Sequence, residues 1–261
     1  MEEYVLICED SAEAVFTAIY QVYAQRLPRE RVRVQIGEDD NYRLFARYKT
    51  VETDVGQALK VVRTLRRQFG EDVYKDLCMA LAAEDRDKAQ AVYKTVEWGL
   101  KAALEGRRER ITDHLTDDHV RRVMELSRRA NNELMHMRGF LRFQELEQGV
   151  LFARIGPRDN ILAMLTPHFA DRLSGENFVI YDDKRHLAAL HPARGQWYLV
   201  HDAQDVGEAL DGRCSEEEKL YGELFHHFCN KISINERENQ DLQRNMLPLR
   251  FRKYMTEFAR K

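Results

Sequence analysis

Residues 150–201 read VLFARIGPRDNILAMLTPHFADRLSGENFVIYDDKRHLAALHPARGQWYLVH, and this stretch decides the fold class. It contains four of five short apolar runs that are typical of strands. The five runs occupy 139–146, 150–155, 177–181, 186–191 and 196–201. A helical pattern from Asp159 to Leu173 interrupts them, and Pro167 is expected to split that helix. The order β-β-α-β-β-β with short turns predicts a mostly antiparallel sheet covered by helices.

Helical patterns dominate the rest of the chain, which has only 13 glycines and five prolines. Apolar residues recur with helical spacing, and the longest seam, from Val120 to Leu141, is expected to break at Gly139. The predicted helices are 10–27, 55–69, 71–83, 86–105, 116–141, 216–233 and 235–259, the last one interrupted near Pro248. Further strands are predicted at 4–8, 32–36 and 42–48, and 202–218 as an acidic loop. The predicted fold class is α+β, helix-rich, with a central mostly antiparallel sheet covered by helices.

The pattern of predicted elements divides the chain into three segments. Residues 1–106 form a small α/β unit that becomes all helix, and 107–119 are a charged, poorly periodic connector. Residues 120–261 form an α+β sheet domain with C-terminal helices. At 261 residues, the chain has the length of one or two domains.

Charge and composition exclude several classes of protein. The 41 Lys and Arg residues balance 44 Asp and Glu residues to a net charge of −3, which excludes a histone-like cationic protein and an acidic disordered tail. No stretch approaches the roughly 18 apolar residues that span a bilayer, so no membrane association is expected. The N-terminal residues lack a signal-peptide pattern, and the four cysteines are widely scattered. Both features predict a cytoplasmic protein.

Recognised catalytic and metal-binding motifs are absent from the sequence. It has no Walker A phosphate loop, no GxGxxG, no GxSxG, no HExxH and no CxxC pair. His226 and Cys229 lie three residues apart on a predicted helix, but no further local ligand accompanies them. The sequence therefore predicts no metal, no cofactor and no recognised enzyme chemistry.

Arginines in the predicted sheet domain form the first candidate site. Arg142 and Arg154 lie on consecutive predicted strands and could project from one sheet face, with Arg138 at the preceding helix end and Arg185 nearby. Like charges in this arrangement need an anion or a carboxylate between them. The group between the arginines could be a phosphate or a carboxylate of the same domain, such as Asp182, and the sequence leaves both possibilities open. We expect Arg138, Arg142 and Arg154 to line one concave surface.

Two further groups complete the candidate nucleic-acid or anion site. His168 and Arg172 are four residues apart after Pro167 and could face an anion together, or form part of a surface pair with Asp171. Near the C-terminus, Arg250 and Lys253 alternate with aromatic residues, a pattern that suits backbone phosphates and stacked bases. The same spacing also fits an amphipathic helix that buries Phe251 and Phe258 and exposes its basic face.

Several stretches together resemble a known family. These are YVLICEDSAEAVFTAIYQVYAQR, NNELMHMRGFLRFQEL, GVLFARIGPRDNIL, HFADRLSGENFVIYDDKRHLAALH and QRNMLPLRFRKYMTEF. The chain resembles, over nearly its whole length, a bacterial family of proteins labelled as DNA metabolism or DNA repair proteins. The resemblance implies a radical-SAM partner protein and a relation to domains fused to uracil-DNA-glycosylase-like domains. It supplies no catalytic residue.

Three functional hypotheses follow. The first is an accessory protein of DNA repair or DNA metabolism that binds nucleic acid or its radical-SAM partner. The second is an enzyme that acts on a nucleobase or nucleotide with His168, His186 or Asp182 and the arginines. The third is a protein-interaction scaffold whose acidic segment 202–218 meets a basic partner. The missing catalytic motifs favour the first, although a net charge of −3 weakens direct binding to duplex DNA.

Overall fold

A computed structural model describes residues 2–38, 43–107, 110–210, 214–232, 239–255 and 258. The chain forms two compact units, Met1–Asn132 and Glu133–Lys261. Within the described parts of the chain, no helix is long and apolar enough to cross a bilayer.

Unit 1 begins with a three-stranded parallel sheet. Its strands are β1 (Glu3–Cys8), β2 (Val32–Ile36) and β3 (Ala46–Thr50), in the order β2-β1-β3. Between β1 and β2 lies α1 (Ala12–Ala24), which begins where the Ser11 hydroxyl accepts a hydrogen bond from the amide of Ala14 at 3.0 Å. The strand expected at 42–48 is β3, which begins four residues later than expected. Residues 39–42 are outside the described residues.

Helices complete unit 1. They are α2 (Val55–Phe69), α3 (Glu71–Ala82), α4 (Lys88–Leu104) and the first part of α5 (Asp118–Phe140). Asp54 caps α2, and Gly70 ends it with a left-handed φ of 87°. The buried core includes Phe16 of α1, Leu65 of α2 and Leu126 of α5, so burial of the apolar helix faces joins these elements.

The expected helix break at Gly139 is wrong, because α5 continues to Phe140. The amide of Leu141 still bonds to the carbonyl of Met137 at 3.0 Å, so the helical hydrogen bonds pass Gly139. A glycine costs a helix interior only about 1 kcal/mol, and the buried side chains of Leu134 and Met137 keep this face of α5 in the core. The expected strand at 139–146 therefore shortens to β4 (Gln144–Glu145).

Unit 2 contains a five-stranded mixed sheet. After β4 come β5 (Leu151–Ile155), β6 (Phe178–Asp182), β7 (Leu187–His191) and β8 (Tyr198–Val200), in the order β4-β5-β6-β7-β8. The α+β class is confirmed, but the sheet is not simply antiparallel: β5 and β6 are parallel, and the other neighbours are antiparallel. Helix α6 (Leu162–Arg172) connects β5 to β6 and allows the chain to return in the same direction.

Pro167 lies inside α6 and does not split it. The proline deprives the carbonyl of Ala163 of its helical partner, but Ala163 is exposed, so water can serve that carbonyl. Thr166 donates its hydroxyl to the carbonyl of Leu162 at 2.8 Å, and Leu162 and Leu165 are fully buried. Burial of this face outweighs the lost hydrogen bond.

The two faces of the unit 2 sheet carry different helices. Phe143 packs edge-on against Phe169 of α6 and Phe178 of β6, which places α6 on the Phe178 face. Tyr181 and Phe152 point to the opposite face and pack with Ala203, directly before α7 (Gln204–Leu210). The expected loop at 202–218 is thus partly helix, because this segment packs on the sheet; residues 211–213 lie outside the described residues.

The remaining helices are α8 (Glu216–Ile232), α9 (Gln240–Met246) and α10 (Leu249–Arg252). The interruption expected near Pro248 is confirmed, since Pro248 directly precedes α10. Phe251 is buried against the rings of His136 and Phe140. Its neighbours Arg250 and Lys253 are exposed, so this segment docks by its apolar face and presents its basic face to solvent.

Candidate functional site

An ion-paired cluster lies at the carboxyl ends of the parallel strands β5 and β6. Arg154, on β5, donates from Nη1 to Oδ1 of Asp183 at 3.0 Å and from Nη2 to the carbonyl of Gly207 at 3.0 Å. Its guanidinium carbon lies 5.5 Å from the ring centroid of Tyr181, its register partner on β6. In open α/β sheets, ligand sites lie at the carboxyl ends of parallel strands. We call Arg154, Tyr181, Asp183 and the side chains that contact Asp183 the Asp183 cluster.

The C-terminal segment closes one side of the Asp183 cluster. Tyr254 donates its hydroxyl to Oδ2 of Asp183 at 3.2 Å, and Nζ of Lys253 lies 3.4 Å from the same oxygen. Burial raises the pKa of Tyr254, and the nearby Asp183 charge acts in the same direction. A Cβ atom at position 156 would lie 2.2 Å from the Tyr254 hydroxyl, so this close approach requires Gly156.

A polar pocket of about 290 Å³ opens beside the cluster. It is lined by Arg154, Tyr181, Asp183, His186, Gln204, Gly207 and Glu208. The hydroxyl of Tyr181 lies 2.9 Å from Nδ1 of His186, and burial raises the pKa of this tyrosine. His186 has a left-handed φ of 52°, which sets its ring at the turn between β6 and β7. A Cβ at Gly207 would lie 2.5 Å from the Tyr181 ring, so α7 packs closely on the pocket wall.

The charges of this pocket are mixed. A guanidinium, a phenol, an imidazole and a carboxamide stand beside two carboxylates, those of Asp183 and Glu208. Three hydrogen-bond donors, from Arg154, Lys253 and Tyr254, already contact Asp183. The lining thus offers both donors and acceptors to a ligand, without a strong net charge.

Buried Glu133 fixes the loop that follows β5. Its side chain is 3% exposed, and its two oxygens accept from the backbone amides of Arg158 at 3.0 Å and Asp159 at 2.7 Å. Nη2 of Arg250 lies 3.7 Å from Oε1 of the same carboxylate. A buried carboxylate needs such partners, so Glu133 ties this loop to the C-terminal segment.

Asp182 and Arg185 hold the same loop from the other strand. Asp182 is fully buried, and its Oδ2 accepts from Nη1 of Arg185 at 3.1 Å. Arg185 also donates to the backbone carbonyls of Pro157, at 3.1 Å, and Arg158. Burial raises the pKa of Asp182, while Arg185 opposes this effect. Both side chains are occupied in positioning the loop.

Four of the five stretches that carry the family resemblance meet around residues 156–159. Glu133 comes from NNELMHMRGFLRFQEL, the loop from GVLFARIGPRDNIL, Asp182 and Arg185 from the YDDKRH segment, and Arg250 from QRNMLPLRFRKYMTEF. These segments are far apart in sequence and share one site in unit 2.

Four of the eight expected site residues lie in or beside this region. Arg154 and Lys253 both contact Asp183, whereas Arg185 and Arg250 contact the groups that fix the 156–159 loop. The aromatic residue between the two C-terminal cations, Phe251, is buried rather than offered for base stacking.

Arg138 and Arg142 are bound locally. Arg138 lies on α5 with Nη1 at 3.7 Å from Sδ of Met135, and Arg142 donates from Nη1 to the carbonyls of Gly139 and Leu141. Arg142 is not on a strand, because α5 extends to Phe140 and β4 begins only at Gln144. The expectation that Arg142 and Arg154 project from two neighbouring strands is therefore wrong; a shared concave surface for the three arginines stays a prediction.

His168 and Arg172 lie on α6. The ring of His168 packs edge-on against Phe169, and Arg172 is the last, exposed residue of the helix. Helix α6 covers the Phe178 face of the sheet, whereas Arg154 shares the opposite face with Tyr181. The structure therefore separates His168 and Arg172 from the pocket and places His186 in it.

Sequence reasoning missed Asp183, Tyr181 and Tyr254 as site residues. The available signal was the long helical connection between β5 and β6, which is typical of a parallel pair and brings the ends of both strands together. Asp182 and Asp183 follow directly after an apolar run, at the end of such a strand.

No group of three or more His, Cys, Asp or Glu side chains that could hold a metal ion occurs within the described ranges. The side chains of His226 and Cys229 lie outside the described residues. Cys8, Cys78 and Cys214 are free thiols.

Comparison with known families adds one match. Residues 86–257 match DUF4130, a domain of unknown function. The chain belongs to the DUF4130 family. The match includes every residue of the Asp183 cluster and of the Glu133 and Asp182 contacts, whereas residues 1–85 lie outside the matched range. No curated protein matches the chain. Membership of DUF4130 thus identifies the family without naming a reaction.

Proposed function

We propose that this protein binds single-stranded nucleic acid as an accessory protein of DNA repair or DNA metabolism. In this proposal the pocket beside Arg154 holds an unpaired base, and Lys253 and Arg250 contact backbone phosphates. The observation that carries the proposal is a small polar pocket of mixed charge, with exposed Lys253 bound to Asp183 of its lining and exposed Arg250 in the same C-terminal segment. Side chains of Lys253 and Arg250 are 69% and 56% exposed, so both can reach a ligand.

The mixed lining favours a base over a phosphate inside the pocket. Asp183 and Glu208 would repel a phosphate, but a carboxylate can accept from the amino and imino groups of a base. Arg154 and the Tyr181–His186 pair supply donors and aromatic surface. The volume of about 290 Å³ is just below the usual range of small-ligand sites, about 300–1,000 Å³, which suits a base better than a large cofactor.

A single strand fits better than a duplex. Duplex affinity comes mainly from neutralised phosphates, and a chain of net charge −3 has only local basic patches to offer. A base inside a duplex also cannot enter a pocket until it is extruded from the stack. Unpaired bases avoid that cost.

The partner and cellular context come from the family resemblance. It implies a bacterial protein that works with a radical-SAM protein and is related to domains fused to uracil-DNA-glycosylase-like domains. A cytoplasmic location is part of the proposal and is supported by the free thiols of Cys8, Cys78 and Cys214.

A second candidate function, an enzyme acting on a nucleobase or nucleotide, is favoured by one observation. The phenol of Tyr181 and the imidazole of His186 are in hydrogen-bond contact within the pocket, next to Asp183. Such a set could transfer protons to a bound base. Incubation with DNA followed by mass spectrometry of the released nucleosides tests it; a modified or released base supports the enzyme hypothesis.

Fluorescence anisotropy with a labelled oligonucleotide tests the binding proposal. We expect a 20-nucleotide single strand to bind more tightly than the matching duplex, with an affinity that falls steeply with salt. Replacing Arg250 and Lys253 together by Ala is expected to reduce the slope of log K against log salt by about 1–2 units, since each single-strand phosphate contributes roughly 0.7. Tyr181→Phe is expected to weaken binding without changing that slope.

Matched controls separate the site from general charge and folding effects. Lys231→Ala with Arg244→Ala removes two exposed cations elsewhere in unit 2, and Tyr198→Phe removes the hydroxyl of an exposed tyrosine. Both controls are expected to bind like the parent. An absence of binding to any strand at low salt would refute the proposal and leave the protein-interaction hypothesis.

A further inference from the structure

Unit 1 contains a groove of about 800 Å³ where the C-terminal ends of α1 and α4 meet the turn at Pro28–Arg31. Leu27 and Leu104 give it apolar surface, and Tyr23 adds an aromatic ring. Leu104, the last residue of α4, is 85% exposed, so its apolar surface is accessible to a ligand. The groove is of a size that binds small molecules, about 300–1,000 Å³.

Cationic side chains dominate the lining of this groove. Arg26, Arg29, Arg31 and Lys101 line it together with two carboxylates, Glu30 and Glu97. Glu97 is bound by Lys94 at 2.7 Å, which neutralises its charge. The groove therefore has a net positive charge, in a chain whose overall charge is negative.

Arg26 occupies a backbone position that normally favours glycine. The amide of Leu27 bonds to the carbonyl of Val22, and that of Arg26 to the carbonyl of Tyr23, so α1 ends in a Schellman motif with Arg26 at φ 52°. Helix α4 ends in the same motif, but with Gly106 at the left-handed position. An arginine at this position costs conformational energy, which is a feature of sites that need the side chain.

Tyr23 contributes to the wall of the same groove. Its hydroxyl is buried from solvent and has no hydrogen-bond partner of ordinary geometry among the described residues, so a ligand in the open groove does not reach this atom. The guanidinium of Arg29 lies 5.6 Å from the Tyr23 ring centroid, and its charge lowers the pKa that burial of this tyrosine raises. The ring of Tyr23 therefore helps to hold the Arg29 guanidinium at the groove wall.

We propose that this groove binds a nucleoside phosphate, with the phosphate between Arg26, Arg29 and Lys101 and the base and sugar against the apolar surface. A phosphate carries up to two charges and three acceptor oxygens, so several guanidinium groups can bond to it at once. A carboxylate has one charge and two oxygens, and fits four neighbouring cations less well. The ligand is either a free nucleotide or the terminal nucleotide of a strand, since both present this chemistry.

The site is independent of the proposed function. It lies in unit 1, outside the range that matches DUF4130 apart from its α4 residues, and shares no residue with the Asp183 cluster. Variants of the groove and of the cluster therefore test two separate statements.

Isothermal titration calorimetry with AMP, adenosine and inorganic phosphate tests the inference on the full chain. We expect AMP to bind at least tenfold more tightly than either adenosine or phosphate, because only AMP uses both the cations and the apolar surface. A short peptide made only of glutamates serves as an acidic competitor; binding of this peptide without binding of AMP would overturn the inference.

Two variants locate the ligand. Arg26→Gly is expected to weaken AMP binding about tenfold or more while raising the melting temperature by about 2–4 °C, since glycine relieves the left-handed strain. Lys101→Ala is expected to weaken AMP binding similarly. Arg63→Ala removes an exposed cation on α2, outside the groove, and is expected to leave AMP binding unchanged.

The source of the nucleotide is settled by oligonucleotides of ten thymidines with and without a 5′ phosphate. Tighter binding of the phosphorylated strand than of the free mononucleotide supports a strand end; the reverse supports a free nucleotide. Equal AMP affinity in the parent, Arg26→Gly and Lys101→Ala, or no AMP binding at millimolar concentration, would refute the site.

Discussion

Replacing Gly156 by Ala is expected to displace Tyr254 and to weaken its contact with Asp183. A Cβ at this position would lie 2.2 Å from the Tyr254 hydroxyl and 2.7 Å from its Cζ, both far below van der Waals contact. Gly156 does not have a left-handed φ, so alanine brings no backbone penalty of its own. The whole effect of the substitution therefore comes from moving the tyrosine ring.

The expected cost in the free energy of unfolding is about 2 kcal/mol. A hydrogen bond to a charged group contributes about 1.5–3 kcal/mol, and the Tyr254–Asp183 bond is of this kind. The Lys253–Asp183 contact adds little, because the lysine side chain is 69% exposed. Strain from the added methyl group is limited, since the half-buried ring can move outward.

Urea unfolding followed by tryptophan fluorescence measures this cost in unit 2. Each unit contains one tryptophan, Trp98 and Trp197, so a Trp98→Phe background reports on unit 2 through Trp197. In a Tyr254→Ala variant the clash partner is gone, and Gly156→Ala is expected to cost less than about 0.5 kcal/mol. The coupling energy between the two sites is thus about 1.5–2 kcal/mol.

A cost of Gly156→Ala that is equal with and without Tyr254 would refute this reasoning, because it would trace the effect to the loop and not to the ring. The matched control is Gly139→Ala, where no atom lies within 4 Å of the added Cβ. Since Gly139 is inside helix α5, alanine there is expected to stabilise the protein by about 0.5–1 kcal/mol.

Three further predictions follow from buried groups. Burial raises the pKa of Asp182, so Asp182 binds a proton more tightly in the folded state than in the unfolded chain, and its contribution to stability falls as the pH rises from about 3.8 through the raised pKa. Urea unfolding from pH 4 to 7 is expected to show that the stability difference between the parent and Asp182→Asn decreases over that window. A constant difference would contradict this expectation. Burial raises the pKa of the Cys8 thiol to about 12, so brief iodoacetamide labelling at pH 8 followed by peptide mass spectrometry is expected to modify half-buried Cys214 well before Cys8; equal labelling would contradict this expectation. Glu133→Gln leaves one of the two amides that Glu133 binds without an acceptor and is expected to cost about 1–3 kcal/mol in unfolding free energy, with faster hydrogen exchange at Asp159; unchanged exchange would show that the loop is held by other groups.

Local sequence patterns predicted the elements of this fold well. Helix α2 has the predicted bounds, and β5, β6 and β7 lie within one residue of their predicted ends, because apolar periodicity and flanking glycines act locally. The α+β class followed from the same signals. Gly139 and Pro167 led to wrong predictions of helix breaks. The free-energy penalty of a single helix-breaking residue is smaller than the free energy gained by burying the helix face around it.

Strand direction and site composition depend on tertiary packing and were harder to predict. Arg154 and Lys253 were predicted as members of two separate basic groups, but their common partner Asp183 was not predicted, because it joins them only when β5 and β6 run parallel. The Tyr181–His186 contact likewise requires the turn at His186, whose left-handed backbone is uncommon for any residue other than glycine, although histidine adopts it more often than most.

The order in which the chain is synthesised determines when the Asp183 cluster can form. Asp183 acquires one partner from 29 residues earlier and two from 70 and 71 residues later, with the carbonyl of Gly207 bound to Arg154 in between. While residues 183–252 emerge, the aspartate has only Arg154, and Gly156 faces an unfilled space where Tyr254 will lie. Unit 1 and the central strands can complete their folding in this interval, so the contacts of Lys253 and Tyr254 with Asp183 are the last of this cluster to form.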